Sequence, residues 1–243
     1  MAEWRLLRGW SEPELLARLR ALDDAPRNFD EPPEQLARRP GWNQYRSEAV
    51  IGYERPGPPL ADGYFARARV AVANYEFSDP AIVLAHFDPR VPLLGRRLLL
   101  EIRVLTLRYL CGALVADVQE EPRDHESIFA FRYDTLAGHI ERGAEWFILK
   151  KDHASGAVSF RIAAAWQPGD FPNWWSRLGF RLLARRYQLR WHSRAHRRLV
   201  GLIHLSVADL LPDQRRLVTE GPDVKFTWGV DVETEEREVV RGT

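Results

Sequence analysis

The segment VSFRIAAAWQPGDFPNWWSRLGFRLLARRYQLRWHSRAHRR, residues 158–198, carries two hydrophobic periods in succession. Val158, Phe160, Ile162, Ala164 and Trp166 alternate with their neighbours, the period of a strand with one apolar face. After Pro168-Gly169 the alternation stops. From Pro172 to about Arg198 there is no internal proline and only Gly179 as a glycine, which predicts one long helix. Upstream, Leu98, Leu100, Ile102 and Val104 alternate in the same way. Leu110 to Val118, Ile128 to Tyr133 (with Phe129, Phe131 and Tyr133 on one face) and Trp146 to Lys151 add further strand segments. Asp152-His-Ala-Ser-Gly156 has the composition of a hairpin turn. Strands joined by short turns make an antiparallel meander. A run of strands followed by one long helix is an α+β pattern, with the helix laid across a sheet face.

The flanks are less regular. Ser11-Glu-Pro-Glu14 has the spacing of a capping box with proline early in the first turn, so a short helix is expected over 12–22, with Leu15, Leu16, Leu19 and Leu22 on one face. Prolines 26, 32, 33 and 40 make Asp23 to Gly41 a loop. Tyr45 to Tyr53 reads as a short strand, and Tyr64 to Tyr75 fits a strand or a helix equally. Val224, Phe226, Trp228, Val230 and Val232 alternate as a last strand.

The chain has 243 residues, 45% apolar and 28% charged, the balance of a folded globular protein. Thirty-five basic and 34 acidic residues leave a net charge of +1, so no whole-molecule field draws in nucleic acid or membrane. The single Cys111 excludes an intramolecular disulfide and any multi-cysteine zinc site. Met1 to Trp10 lacks the apolar core of a signal peptide, and no stretch is long enough to span a bilayer as a helix; a cytoplasmic location is the expectation.

Phosphate loops, dinucleotide fingerprints, nucleophile elbows and the HExxH zinc motif are absent from the sequence. Three constellations remain. Tyr133 to Glu145, read as the connection between two strands, packs Asp134, His139, Glu141, Arg142 and Glu145 into thirteen residues. A histidine beside carboxylates can act as a general base; a solvated loop closed by an Arg142 ion pair is the plainer reading. The long helix carries Arg177, Arg181, Arg185, Arg186, Arg190, Arg194, Arg197 and Arg198 with no acid among them, a face suited to phosphate or an anionic surface. Seven acids between 220 and 241 offer an internal match instead, so nucleic-acid binding is not expected. His192 and His196 share a helical face, but no third ligand is identifiable, so neither a metal nor another cofactor is expected.

Phe129 to Phe147 resembles the signature F-A-Y-G-T-L-P-G-H-P-E-R-G-E-E-x-F of the domain-of-unknown-function family nineteen-ninety (uncharacterised protein family 0548). Thr135, Leu136, Gly138, His139, Glu141, Arg142, Gly143, Glu145 and Phe147 match; Asp134 stands for a glycine, Ala137 and Ile140 for prolines, Ala144 for a glutamate. Pro40-Gly-Trp42, Phe65 to Phe77 and the Phe160–Pro168 strand before the long helix extend the likeness over about 40–200. The resemblance implies a helix over Tyr64–Tyr75. It also implies a START-like helix-grip fold, in which a curved antiparallel sheet wraps a long C-terminal helix over an apolar cavity. It implies no established activity.

The expectation is therefore an α+β helix-grip domain over 1–200 and a C-terminal extension over 201–243 that packs on it with one strand. The leading function is binding of a small apolar or amphipathic molecule between sheet and helix. Phe129, Phe131, Tyr133, Thr135, Arg142, Phe160, Trp166, Leu182 and Tyr187 are the candidate binding residues. The alternatives are a cyclase, isomerase or hydrolase with His139, Glu141 and Glu145 as catalytic residues, or an interaction with an anionic surface through the arginine helix.

Overall fold

A computed structural model describes residues 3–38, 40–204 and 212–228. Its strands are β1 (Glu3–Leu6), β2 (Asn43–Tyr53), β3 (Val83–His86), β4 (Arg97–Val104), β5 (Leu107–Pro122), β6 (Glu126–Thr135), β7 (Glu141–Asp152), β8 (Ala157–Pro168) and β9 (Lys225–Trp228). The helices are α1 (Glu12–Ala21), α2 (Tyr64–Ala73), α3 (Trp174–Ile203) and α4 (Pro212–Glu220). All strands join one antiparallel sheet in the order β3-β4-β5-β6-β7-β8-β2-β9, with β1 against the start of β5. Register shifts between Val50 and Gly52 and between Val115 and Asp117 put a bulge in β2 and in β5, and bulges bend a sheet. The fold is α+β with a curved antiparallel sheet gripping a long C-terminal helix.

Alternation decides which face each residue serves. Phe129, Phe131, Phe147, Leu149, Phe160 and Ile162 turn to the concave face, where α2 adds Phe65, Ala68 and Val72 and α3 adds Trp191, Ala195, Leu199, Val200 and Ile203. The convex face is covered as well. Phe29 and Leu36 pack on Ile128, Trp146, Ile148 and Ala163, which explains why the proline-rich segment is ordered and forms a 3₁₀ turn at Pro33–Arg38 rather than a plain loop. The capping box forms, with Ser11 N–H donating to Glu14 Oε2 at 2.7 Å. Leu15 and Leu19 pack inward, while Leu16 is exposed.

Helix α3 starts where Asn173 Oδ1 accepts from Ser176 N–H at 2.8 Å and runs to Ile203, five residues past the expected end. It is held at both ends. Tyr109 and Ser176 hydroxyls meet at 2.9 Å and Trp175 packs edge-on to Trp4 at 5.2 Å near its start; Trp191, Ala195, Leu199, Val200 and Ile203 are buried in the core. Between these anchors the helix is partly exposed and bridges the curve of the sheet. Beyond it, α4 packs on α3 and β2, and β9 pairs with β2 through Tyr45–Trp228 to Glu48–Lys225. The expected strand residues 230 and 232, and the acids from Asp231 onward, lie outside the described residues.

The segment Tyr133 to Glu145 is not a polar loop. Strand β6 continues to Thr135 and β7 begins at Glu141, so only 136–140 connect them. Glycine makes this possible at Gly143: at φ 150° its place is so close to β8 that a Cβ would stand 2.1 Å from the Ala165 carbonyl oxygen. Thr135 Oγ1 accepts from Gly143 N–H at 2.8 Å and lies 2.6 Å from Asn28 Oδ1, locking the turn to the N-terminal segment. Gly143→Ala is expected to destabilise by about 2–3 kcal/mol, read as a lowered midpoint in urea titration; an unchanged midpoint would show that β8 yields freely.

Candidate functional site

A cavity of about 120 Å³ lies under the middle of α3. Its apolar wall includes Ile82, Val83, Leu100, Ile102 and, from the helix, Phe180, Leu183 and Ala184. Tyr187 crosses its edge, where the hydroxyl accepts from Leu105 N–H at 3.1 Å and pins the β4–β5 turn. The polar groups gather at one end: Tyr45, Tyr75, Tyr133, His139, Glu141, Glu145 and Gln188.

Sheet register builds that end. Tyr45, Ala164, Glu145 and Tyr133 stand side by side on β2, β8, β7 and β6, and Ala164 leaves the space that Tyr45 needs to approach Glu145. Tyr133 donates to Glu145 Oε2, and Tyr45 lies 3.4 Å from Oε1. Tyr75 comes from a different device: a left-handed φ of 58° just after α2 turns its ring onto Phe147 at 5.6 Å and its hydroxyl towards that of Tyr133. A non-glycine residue in this conformation stores strain that the surrounding packing must hold.

Burial sets the charges. Glu145 is pushed up to about 8 by loss of solvent, with Glu141 adding repulsion. Glu141 is pushed up to about 7 by the same cause, while Gln188 Nε2 donates to its Oε1 at 3.2 Å. Burial also raises Tyr45, Tyr75 and Tyr133 well above 10, which keeps all three hydroxyls protonated. His139 is 2% exposed and pushed down to about 4 by burial. Its Nδ1 accepts from Glu141 N–H at 2.9 Å, so the neutral ring carries its proton on Nε2, which is buried and has no hydrogen-bond partner.

Of the residues singled out in the sequence, Tyr133, His139, Glu141, Glu145 and Tyr187 meet at this cavity. The others lie elsewhere. Phe129, Phe131 and Phe160 are buried in the core, Phe131 stacked on Phe147 at 4.7 Å. Thr135 secures the turn, and Trp166 packs on Phe180 at 5.6 Å. Arg142, one residue from Glu141, faces the convex side, paired with Glu31 at 3.6 Å and set over Trp42. Leu182 is 72% exposed. Tyr45, Tyr75, Gln188 and Trp191 were not singled out. The helical pair was legible: Phe180, Ala184, Gln188 and Trp191 recur at steps of four and three, and Leu182 lies off that stripe.

Two of the departures from the signature have local explanations. Asp134 is fully buried between Arg132 at 2.8 Å and Arg27 at 3.3 Å, and Ile140 packs with Tyr109 and Cys111. His192 and His196 both meet Ser47 Oγ, at 2.6 and 2.9 Å, deep in the protein. Among the described residues no group of three or more His, Cys, Asp or Glu is arranged to hold a metal. The arginines at the end of α3 are tied internally: Arg194 to Asp79 at 2.7 Å, Arg197 to the Glu220 carbonyl at 3.1 Å and Arg198 to the Glu76 carbonyl at 2.6 Å. Arg177, Arg186 and Arg190 are exposed. No helix among the described residues is long and apolar enough to cross a membrane.

None of the curated proteins matches the chain. Among solved structures, Ara h 8.0201 aligns at 11% identity over 68% of this chain and 100% of its own, with a TM-score of 0.41. Hypothetical protein jhp0584 from Helicobacter pylori aligns at 12% identity over 72% and 95%, TM-score 0.45. Ginseng major latex-like protein 151 from Panax ginseng aligns at 10% identity over 68% and 99%, TM-score 0.42. The family model described as Domain of unknown function (DUF1990) matches residues 31–198, which include β2 to β8, the cavity and most of α3. The chain belongs to that family.

Proposed function

We propose that the protein binds a small, largely apolar molecule in the space between α3 and the concave sheet. The observation that carries this reading is the cavity itself: an apolar chamber under the middle of α3, with His139 Nε2 buried at its polar end and lacking a partner. Buried polar groups are nearly always satisfied, so an orphan N–H lining a hollow is a place where a water or a ligand atom can bond. Saturation-transfer NMR with 4-phenyl-1-butanol tests the reading. Binding near 1 mM or tighter is expected for so small a probe. Ala184→Trp, which fills the chamber from the α3 wall, is expected to abolish the signal while the protein still unfolds cooperatively. Equal signals from both proteins would reject the site.

One observation favours an acid–base enzyme as a second reading. Glu141 and Glu145 exchange protons near neutrality, at about 7 and about 8, beside three protonated tyrosines. In this reading Glu145 moves the proton and His139 donates through Nε2 to a carbonyl oxygen. Deuterium uptake alpha to the carbonyl of 4-phenyl-2-butanone in D2O, lost in Glu145→Gln, is the expected result; no uptake rejects it.

A further inference from the structure

Building on the ligand-binding reading, we propose that the molecule held in the cavity is an amphipathic amine, its ammonium group seated at Glu141 and Glu145 and its apolar body against Ile82, Leu100 and Ile102. Two carboxyl groups reach one small chamber, and among the described residues lining it there is no lysine or arginine. Buried carboxylates are ordinarily matched by a cation. Here the partners are neutral: Tyr133 and Tyr45 for Glu145, Gln188 for Glu141. Among the described residues other buried acids do have cations, Glu54 with Lys151 and Asp134 with Arg132, and the pair at the cavity differs from them.

The cavity's own imidazole does not supply the charge. A second proton on His139 would have to enter at Nδ1, where the Glu141 N–H already points. Its Nε2–H is a donor without a partner. The rings of Tyr45, Tyr75, Tyr133 and Trp191 also line the chamber, and aromatic faces attract a desolvated ammonium group.

The titratable groups that bear on this acid pair are Tyr45 of β2, Tyr75 after α2, Tyr133 of β6 and, against Glu141, Cys111 of β5; from α3 the neighbours are Gln188 and Tyr187. Burial holds both carboxyls partly protonated in the empty chamber. An arriving cation must therefore displace their protons, and its affinity grows with pH by linkage.

Calorimetry on the full chain with three isosteric probes, 4-phenylbutylamine, 4-phenyl-1-butanol and 4-phenylbutanoate, at pH 6.5 and 8.5 tests the assignment. The amine is expected to bind about tenfold or more tightly than the alcohol at pH 8.5, and to gain about tenfold between the two pH values with release of protons. The alcohol should change little and the carboxylate should bind worst. Glu145→Gln and Glu141→Gln, each close in shape to the protonated acid, are expected to lower amine affinity about tenfold and to change alcohol affinity far less. An alcohol as tight as the amine, or a preference for the carboxylate, would overturn the cationic ligand while the binding site stood. Failure of all three to bind would overturn the site and the inference together.

Discussion

Replacing Glu54 by alanine is expected to cost about 3–5 kcal/mol of folding stability, enough to leave a domain of ordinary stability barely folded. Glu54 and Lys151 side chains are 2% and 0% exposed and meet at 2.6 Å. Lys151 also donates to the Pro58 carbonyl at 3.0 Å. The same carboxylate caps a helix. Glu54 Oε1 accepts from Phe65 N–H at 2.7 Å in the first turn of α2, where the N-cap is Gly63 and offers no side chain of its own. Alanine removes both contacts, leaving a buried ammonium group uncompensated and the helix start uncapped. Urea unfolding of E54A, K151M and the double variant E54L/K151M checks the argument. The single E54A change should be the worst, and the double change should recover much of the loss, because a buried pair replaced by apolar groups of similar size costs little. Equal losses in E54A and the double variant would show that helix capping, not the stranded charge, dominates.

The second large effect is acid lability with a particular shape. His139, His192 and His196 are buried and neutral in the folded state, at about 4, well below the usual value and about 3, respectively, with burial the leading cause in each case. In the unfolded chain each takes up a proton near pH 6.5. Depressed histidines thus stabilise the fold above that pH, and the contribution is lost as pH falls towards the folded values. Glu141 and Glu145 act oppositely: with folded values of about 7 and about 8, they hold protons that the unfolded chain releases down to about pH 4.5. Between pH 6.5 and 4.5 the three histidine protons of the unfolded state are offset by two glutamate protons of the folded state. The net slope is then near one proton, about 1.4 kcal/mol per pH unit. Below about pH 4.5 the offset ends and the loss steepens, reinforced by carboxylates such as Glu3 and Glu101 that the fold holds below their usual range. Stability should also decline gently from pH 7 to 8.5 as the two buried glutamates ionise. Denaturant titrations from pH 4 to 8.5 are expected to show a maximum at about pH 6–6.5. A stability that instead rises as pH falls from 6.5 to 4.5 would mean that these histidines titrate in the folded protein as they do in water, leaving the two glutamates to set the slope.

Much of the architecture was legible in the residues. Strict alternation in β4 and β8 and the uninterrupted run after Pro172 required strands followed by a helix, because side chains of the wrong period cannot keep one face buried. The capping box at Ser11 and Glu14 fixed a helix start by local hydrogen bonding alone. Periodicity could not decide Tyr64 to Tyr75, since alanine-rich segments satisfy both templates; packing of Phe65, Ala68 and Val72 on the sheet made it helical. The polar signature is legible by its residue types but reads as a loop, because Gly143, like Gly138, looks like a turn residue until β8 is known to lie against it.

What the sequence determined by itself was the inventory and the local periods: a meander, a long helix and a compact set of acids around one histidine. Only the tertiary structure decided which of them share a chamber. Cross-strand register set Tyr45 beside Glu145 across 100 residues, the alternation of β7 sent Glu141 and Arg142 to opposite faces, and two distant anchors held α3 off the curved sheet. These are long-range relations between backbones, and no short stretch of side chains encodes them.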